Sequence, residues 1–148
     1  MIEIEGLKKR FGQSIALDEV SMHVRDGAMY GFVGPNGAGK TTTIRCMMGL
    51  LAADGGKLLI NGIDMEKEPK KALSQIGYIP DDFGVYDNLK VLEYMEFFAS
   101  CYGITGLSAR KRSMTLLDQV GLEGKSDFYV DSLSKGMKQR LCLARALV

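Results

Sequence analysis

Apolar and polar residues alternate at the start of the chain, and this pattern predicts half-buried strands. Residues 2–8 place Ile2, Ile4 and Leu7 on one face, and residues 15–24 keep an approximate period of two. Short apolar runs predict three further strands, at residues 29–33, 57–60 and 76–79, the first and last of them buried. Turn residues separate these runs. The first half of the chain is therefore predicted to be rich in β-structure.

A helical period of apolar residues prevails in the second half of the chain. The predicted helices cover residues 42–51, 66–75, 88–102, 108–120 (with Ser108 as N-cap and Gly121 as C-cap) and the segment after Ser134. In the last helix one apolar face consists of Met137, Leu141, Ala144 and Val148. Ser134 stands where the N-cap of that helix is expected.

Composition and charge are those of a soluble globular domain. The chain has 148 residues, of which 46% are hydrophobic and 25% charged, with a formal net charge of +1. This charge gives no reason to expect a nucleic-acid partner. No apolar run approaches the roughly 18–20 residues of a membrane span. The acidic, alternating start is unlike a signal peptide.

The residues that often carry metal or redox chemistry are few and scattered. Cys46, Cys101 and Cys142 are far apart in apolar helical patterns, so we expect three unpaired core thiols in a reducing cytoplasm. No pair has the spacing of a metal site. The single histidine, His23, is expected to hold a strand or turn position without a function. The basic residues 110–112 are expected to form a solvated helix face.

Gly34 to Thr41 fits G-x-x-x-x-G-K-[ST], the phosphate-binding P-loop, and it stands between a predicted strand and a predicted helix. Glycines let a phosphate chain approach several backbone N–H groups and permit turns with φ > 0. The following helix presents free N–H groups and the positive end of its dipole. Lys40 would place an ammonium on the outer phosphates, and the Thr41 hydroxyl would be a ligand of Mg²⁺.

Other segments indicate which family of P-loop proteins the chain resembles. Residues 133–140 resemble the signature motif, L-S-G-G-Q, of ATP-binding-cassette (ABC) ATPases, at the right distance from the P-loop. Residues 76–80 look like the strand that leads into the Q-loop of that family, and residues 7–12 look like its adenine-stacking loop. Residues from 88 onward look like its helical subdomain. The resemblance covers the whole chain in order, and its finer features look most like bacterial exporters of the drug or ABC-2 type.

The resemblance implies a set of site residues and partners. ATP would be held by Phe11, Gly34, Pro35, Asn36, Gly37, Ala38, Gly39, Lys40, Thr41, Thr42 and Asp81, and Mg²⁺ by Thr41 and Asp81. Phe11 would stack on adenine, or it merely packs. The signature residues Leu133, Ser134, Lys135, Gly136 and Met137 would face the ATP of a second ABC ATPase subunit in a head-to-tail dimer. A membrane-spanning permease subunit would complete the assembly, with this chain cytoplasmic, at the inner face of the cell membrane.

Three departures from the family pattern affect these expectations. Asp81 stands where the Q-loop usually carries glutamine, so it would reach Mg²⁺ through a water or simply end a strand. Lys135 and Met137 replace a glycine and a glutamine, which the backbone and the Ser134 hydroxyl would tolerate. The Walker B aspartate, the catalytic glutamate and the switch histidine do not occur in the 148 residues. We therefore expect a piece of a longer protein or a truncated relative, with weakened ATP binding and negligible hydrolysis.

The predicted fold class is α/β: a P-loop NTPase core with a mostly parallel sheet, an antiparallel β subdomain from residues 1–25 and 57–63, and a helical subdomain. The expected division of the partial ABC domain, residues 1–148, is 1–81 for the core and β subdomain, 82–135 for the helical subdomain and 136–148 for the helix that returns to the core. Phe83, Tyr86, Phe97 and Phe98 would dock a helix of the membrane partner, or pack in the core.

The leading functional hypothesis is the ATP-binding subunit of an ABC transporter, which couples ATP binding and hydrolysis to transport. Two alternatives stay open: a non-catalytic fragment that binds nucleotide or a partner, and a soluble ABC ATPase of translation or repair. The sequence does not identify the transported substrate or the direction of transport.

Overall fold

A four-stranded antiparallel sheet dominates the first part of the chain. The computed structural model describes residues 1–80, 86 and 88–148, and it divides into two compact units, residues 1–76 and 77–148. The strands of the first unit are β1 (Ile2–Phe11), β2 (Ser14–Val24), β3 (Gly55–Ile60) and β4 (Ile63–Asp64), in the order β2-β1-β3-β4. This confirms the antiparallel β subdomain that the alternating pattern predicts.

The core of the first unit forms between one face of this sheet and two helices. Ile4 of β1 is paired with Met22 of β2 on one side and with Leu58 of β3 on the other. Helices α1 (Lys40–Met47) and α2 (Pro69–Leu73) add apolar side chains to the same face. The buried members of this core are Ile4, Leu7, Leu17, Cys46, Leu58, Ile60 and Ala72. Both helices are shorter than predicted.

The two runs predicted as buried strands of a parallel sheet are not strands. Residues 29–33 belong to no helix or strand, with Met29 and Val33 almost fully exposed, and residues 76–79 also lie outside any strand. A central strand needs a hydrogen-bonded neighbour on each side, and none of the described residues supplies one to either run. Both runs are apolar, as the pattern requires, but the prediction that they form strands was wrong for this chain.

Three longer helices form the second unit. They are α3 (Val91–Cys101), α4 (Gly106–Gln119) and α5 (Lys135–Ala146), with a short 3₁₀ turn at Glu123–Lys125 between the last two. Their apolar faces meet in one core, whose buried members are Val91, Leu92, Tyr94, Met95, Leu116, Leu117, Leu122, Val130, Leu133, Leu141 and Ala144. No helix in the described ranges is long and apolar enough to cross a membrane.

Some of the predicted helix caps are confirmed and others are wrong. The prediction of Ser134 as the N-cap of α5 is confirmed, and Gly121 follows the end of α4 with φ 65°, as a C-cap glycine should. Ser108 does not cap α4, because that helix already begins at Gly106 behind Thr105. The backbone N–H of Lys90 donates to Glu93 Oε2 at 2.9 Å, and this bond sets the start of α3 three residues later than predicted.

The cysteines divide into two environments. Cys46 and Cys142 are buried, and burial raises the pKa of both thiols. Cys101 is exposed at the end of α3, so the prediction of three core thiols was wrong for this residue. Its neighbours Ser100 and Tyr102 are exposed as well, because the helix turns its last residues away from the core. His23 lies in β2.

Candidate nucleotide-binding site and signature segment

The glycine-rich part of the P-loop turns sharply into α1. Gly37 and Gly39 both have φ 84°, a left-handed backbone conformation that favours glycine. Gly39 is also buried against β2. A Cβ atom at Gly39 would lie 2.6 Å from Leu17 Cδ2 and 2.7 Å from the Ala16 carbonyl oxygen. A close approach of backbone to strand, as well as the turn itself, therefore requires glycine at this position.

The Lys40 side chain curls back over the loop that precedes it. Its ammonium donates to the carbonyl oxygens of Gly34 at 2.6 Å and Pro35 at 2.7 Å. The N–H of Ala38 donates to the same Pro35 oxygen at 3.2 Å, which closes a turn inside the loop. These bonds hold the only charged side chain of residues 34–41 at the mouth of the P-loop. The predicted contact of Lys40 with the outer phosphates stays a prediction, because the ammonium is seen here only on carbonyl oxygens of its own loop.

The first turn of α1 leaves backbone donors available. The first helical bond runs from the N–H of Thr43 to the Gly39 carbonyl at 2.8 Å, and the buried Thr43 hydroxyl donates to the same oxygen at 2.9 Å. The N–H groups of Lys40, Thr41 and Thr42 therefore precede the helical ladder, and no side chain caps them. The Thr41 side chain is exposed and Thr42 is half-buried. Arg45 in the last turn complements the helix dipole.

This donor set fits a magnesium nucleotide. Free N–H groups at a helix start and one ammonium suit phosphate oxygens, and an exposed threonine hydroxyl suits Mg²⁺. The glycines keep side chains out of the space that phosphates would need. Asp81, the other predicted Mg²⁺ ligand, lies outside the described residues, as does Phe83.

Phe11 ends β1, and the residue is 53% exposed. The Lys9 ammonium lies 5.7 Å from the centroid of this ring. Asp54 fixes the end of the strand: it pairs with Lys9 Nζ at 2.8 Å and accepts from the Arg10 N–H at 2.7 Å. The hydrogen bond from Lys9 lowers the pKa of the Asp54 carboxyl, and the bond from Arg10 adds to the effect. Sequence reasoning did not identify Asp54.

The signature segment, residues 133–137, begins α5 at the surface of the second unit. Leu133 is buried in the core, whereas Ser134, Lys135 and Gly136 are exposed and Met137 is half-buried. The Ser134 hydroxyl accepts the N–H of Met137 at 3.4 Å, which is a weak N-cap bond. The segment therefore anchors through Leu133 and turns its polar residues outward, where another molecule can reach them.

Two guanidinium groups hold α5 against α4. Arg140 on α5 donates to the carbonyl oxygens of Val120 at 3.0 Å and Gly121 at 3.3 Å, at the end of α4. Arg112 on α4 donates to the Leu147 carbonyl at 2.8 Å, at the end of α5. Each helix thus satisfies carbonyl groups at the end of the other. The prediction that residues 110–112 only form a solvated helix face was therefore wrong for Arg112, which also bonds to the end of α5.

Aromatic side chains gather on α3 and beside it. We call Tyr86, Tyr94, Phe97 and Phe98 the aromatic cluster; its ring centroids lie 4.8–6.3 Å apart in the five contacting pairs. Tyr94 is buried, whereas Tyr86 and Phe97 are about half exposed. Core packing is therefore confirmed for Tyr94, whereas docking of a membrane partner by the exposed rings stays a prediction.

Comparison with known proteins agrees with this geometry. The family model for ABC transporters matches residues 17–148. The chain is 37% identical, over its whole length, to the probable multidrug ABC transporter ATP-binding protein YbhF of Escherichia coli (strain K12), of which it covers 26%. It is 34% identical to the linearmycin resistance ATP-binding protein LnrL of Bacillus subtilis (strain 168), again over its whole length, and it covers 48% of that protein.

A solved structure of an ATP-binding subunit of an ABC transporter has the same fold. It superposes on 97% of the chain with a TM-score of 0.85 and 30% identity, and the chain covers 60% of it. The chain thus spans a quarter to somewhat more than half of the proteins to which it is compared. On its sequence, its P-loop and its fold, the chain belongs to the ABC transporter family.

Proposed function

We propose that this chain is the ATP-binding part of an ABC transporter and that it holds ATP with Mg²⁺ in the P-loop. The observation that carries the proposal is the placement of the Lys40 ammonium over a loop of left-handed glycines at an uncapped helix start. These features place positive charge and free N–H groups at one spot.

Each residue of the proposed site has a distinct task. Gly37, Gly39 and the first N–H groups of α1 bind phosphate oxygens, while Lys40 exchanges the Gly34 and Pro35 carbonyls for the outer phosphates. Thr41 binds Mg²⁺ through its hydroxyl. Phe11 offers a ring face to the adenine. Asp81 is proposed to reach Mg²⁺ through a water.

The complete protein is proposed to hydrolyse ATP, whereas this chain binds it without turnover. Bound Mg·ATP supplies a γ-phosphoryl group for transfer to water, a step that needs a positioned water and neutralised charge. The 148 residues contain no run of four apolar residues followed by Asp-Glu, which is the Walker B pattern. With Lys40 and Thr41 alone, the chain can orient the phosphates but has no residue that activates the water.

The signature segment is proposed to act on a different nucleotide. Ser134 and Gly136 lie exposed at the start of a twelve-residue helix, which offers a hydroxyl and backbone N–H groups to an anion. We propose that this anion is the γ-phosphate of ATP bound to a second subunit, in a head-to-tail dimer. A permease subunit would be the membrane partner, with this chain cytoplasmic at the inner face of the membrane.

Nucleotide titration tests the proposal. A fluorescent ATP analogue with Mg²⁺ should bind the chain, and Lys40→Ala should weaken binding by about tenfold or more, because a charge-assisted contact is lost. Lys57→Ala is the matched control, since it removes an exposed lysine of β3 in the same unit. Equal binding by wild type and Lys40→Ala would contradict the proposed site.

Phosphate release tests the proposed division of labour. With Mg·ATP, a colorimetric phosphate assay should detect no turnover above that of the Lys40→Ala chain, because the residue that activates water is missing. Turnover at about 1 s⁻¹, within the ordinary range of enzymes, would show that the chain supplies that residue from elsewhere.

A further inference from the structure

Arg145 occupies an unusual place in α5. Its Nη1 donates to the hydroxyl oxygen of Tyr94 on α3 at 3.0 Å. The centre of its guanidinium lies 5.0 Å from the centroid of the Phe98 ring, one turn further along α3. Its Nη2 donates to the Sγ atom of Cys142, one turn earlier on α5, at 3.3 Å. One side chain thus joins two helices through a hydrogen bond and a cation–π contact.

The environment makes this link directional. The apolar faces of α3 and α5 meet in the core through residues such as Met95 and Leu141, and these contacts are less directional than a hydrogen bond. A guanidinium has a rigid planar set of donors, so its bond to Tyr94 fixes how α5 lies against α3. Tyr94 is fully buried, and burial raises the pKa of its hydroxyl to about 12. The phenol is therefore neutral near pH 7, and its oxygen can accept this bond.

The link connects two features at opposite ends of the contact. On α3, Phe98 is in ring contact with Phe97 and Tyr86, whose rings are about half exposed. On α5, the helix runs from Arg145 back to its N-cap Ser134, over twelve residues. A helix of this length is stiff, so a change in its orientation at one end displaces the other.

We propose that Arg145 is a positioning residue that locks α5 to the aromatic cluster, so that the exposed rings and the signature segment move as one body. The proposal rests on the proposed function in one respect, the role of Ser134 toward a nucleotide. The linkage itself concerns only the second unit. In a working assembly, it would let a contact at the exposed rings alter the placement of Ser134.

A double-mutant cycle tests the linkage. Tyr94→Phe removes the oxygen that accepts from Arg145, and Arg145→Lys removes the planar donors but keeps the charge. Amide hydrogen exchange is measured at Met137 and Lys138, whose N–H groups donate to Ser134 at the start of α5. Each substitution should accelerate this exchange by about fivefold, and the double variant should be no faster than the faster single variant.

Internal and external controls separate positioning from general stability. The amide of Leu117, inside α4, should change by less than about twofold. Arg110→Lys is the matched variant, because Arg110 Nη1 lies 3.7 Å from Glu96 on α3 in an exposed ion pair; it should leave Met137 and Lys138 unchanged. Multiplied effects in the double variant, or equal acceleration at Leu117, would overturn the proposal. If Arg145→Lys does not fold, Phe98→Leu replaces it in the cycle, because it removes the ring beneath the guanidinium.

A remote substitution gives the most specific readout. Phe97→Ala truncates a half-exposed ring in the aromatic cluster and should accelerate exchange at Met137 by about twofold. The same substitution should have no effect in the Arg145→Lys background, because the link is then missing. Persistence of the effect in that background would refute the role of Arg145. Binding of the ATP analogue by the wild-type chain is measured in parallel. If the wild-type chain does not bind the analogue, the proposed function is overturned, while the exchange result for Arg145 still stands.

Discussion

The chain contains two helix starts that are proposed to meet phosphate, and they are built in opposite ways. Helix α1 follows Gly39, which has a left-handed backbone, lies buried against β2 and offers no side-chain cap. Helix α5 follows Ser134, which has an extended backbone, is exposed and caps its own helix with its hydroxyl. The first start leaves its N–H groups to a ligand, whereas the second already satisfies one of them.

This difference indicates different kinds of binding. At α1 a lysine from the helix itself covers the loop, so the charge needed for phosphate is part of the same segment. At α5 Lys135 is exposed and Gly136 leaves the helix surface open, so the segment suits an anion brought by another molecule. The comparison separates a helix start that leaves its N–H groups without a cap from one that a serine hydroxyl already caps, and only the first has a lysine over the preceding loop.

The largest effect is expected at Gly39. Gly39→Ala should lower the free energy of unfolding of the first unit by about 3 kcal/mol, because the new Cβ combines an unfavourable φ with a collision against Leu17 and Ala16. Gly37→Ala shares the φ of 84° but has open space around it, so about 1 kcal/mol is expected there. Urea unfolding followed by circular dichroism measures both. Equal losses would show that the contact with β2 does not matter.

A smaller effect is expected at the other helix start. Ser134→Ala should lower the free energy of unfolding of the second unit by about 0.5–1 kcal/mol, since it removes an exposed N-cap. Ser134→Asp keeps a capping oxygen and should retain most of the stability. If Ser134→Asp proves as unstable as Ser134→Ala, then capping is not what the side chain contributes to α5.

The smallest effect concerns pH, and its sign should differ between the units. The pKa of Asp54 is lowered by its hydrogen bond from Lys9, so its contribution is present above the ordinary value of 3.8 and is lost as pH falls below it. The pKa of Glu123 is raised above 4.5 by a hydrogen bond and charge from Asp118, so the second unit loses stability as pH rises through that range. Both carboxyls are exposed, which keeps the effects small.

These contributions are measured as the free energy of unfolding of the wild type, Asp54→Asn and Glu123→Gln. The pH is varied from about 3 to about 6, across the range in which carboxyl groups titrate. Asp54→Asn should flatten the acid loss of the first unit, and Glu123→Gln should flatten the opposite slope of the second. A steeper slope in either variant would reverse the assignment.

The sequence predicted features that depend on neighbours along the chain. Alternation predicted β1 and β2, the motif predicted the P-loop, and Ser134 predicted the start of α5. The prediction of strands at residues 29–33 and 76–79 was wrong, because an apolar run becomes a strand only where partners distant in sequence pair with it. The same limit explains why Arg112 and Asp54 were missed. The sequence does not distinguish an arginine that donates to the carbonyl groups of a distant helix end from an arginine that is solvated.

The central claim is that the P-loop of this chain binds a nucleotide, whereas its signature segment contacts the nucleotide that is bound to another subunit. Titration of the isolated monomeric chain with Mg²⁺ and a fluorescent ATP analogue tests it, with Lys40→Ala and Ser134→Ala compared side by side. The account predicts that Lys40→Ala weakens binding by about tenfold or more and that Ser134→Ala leaves the Kd unchanged. Equal weakening by both variants, or none by Lys40→Ala, would contradict it.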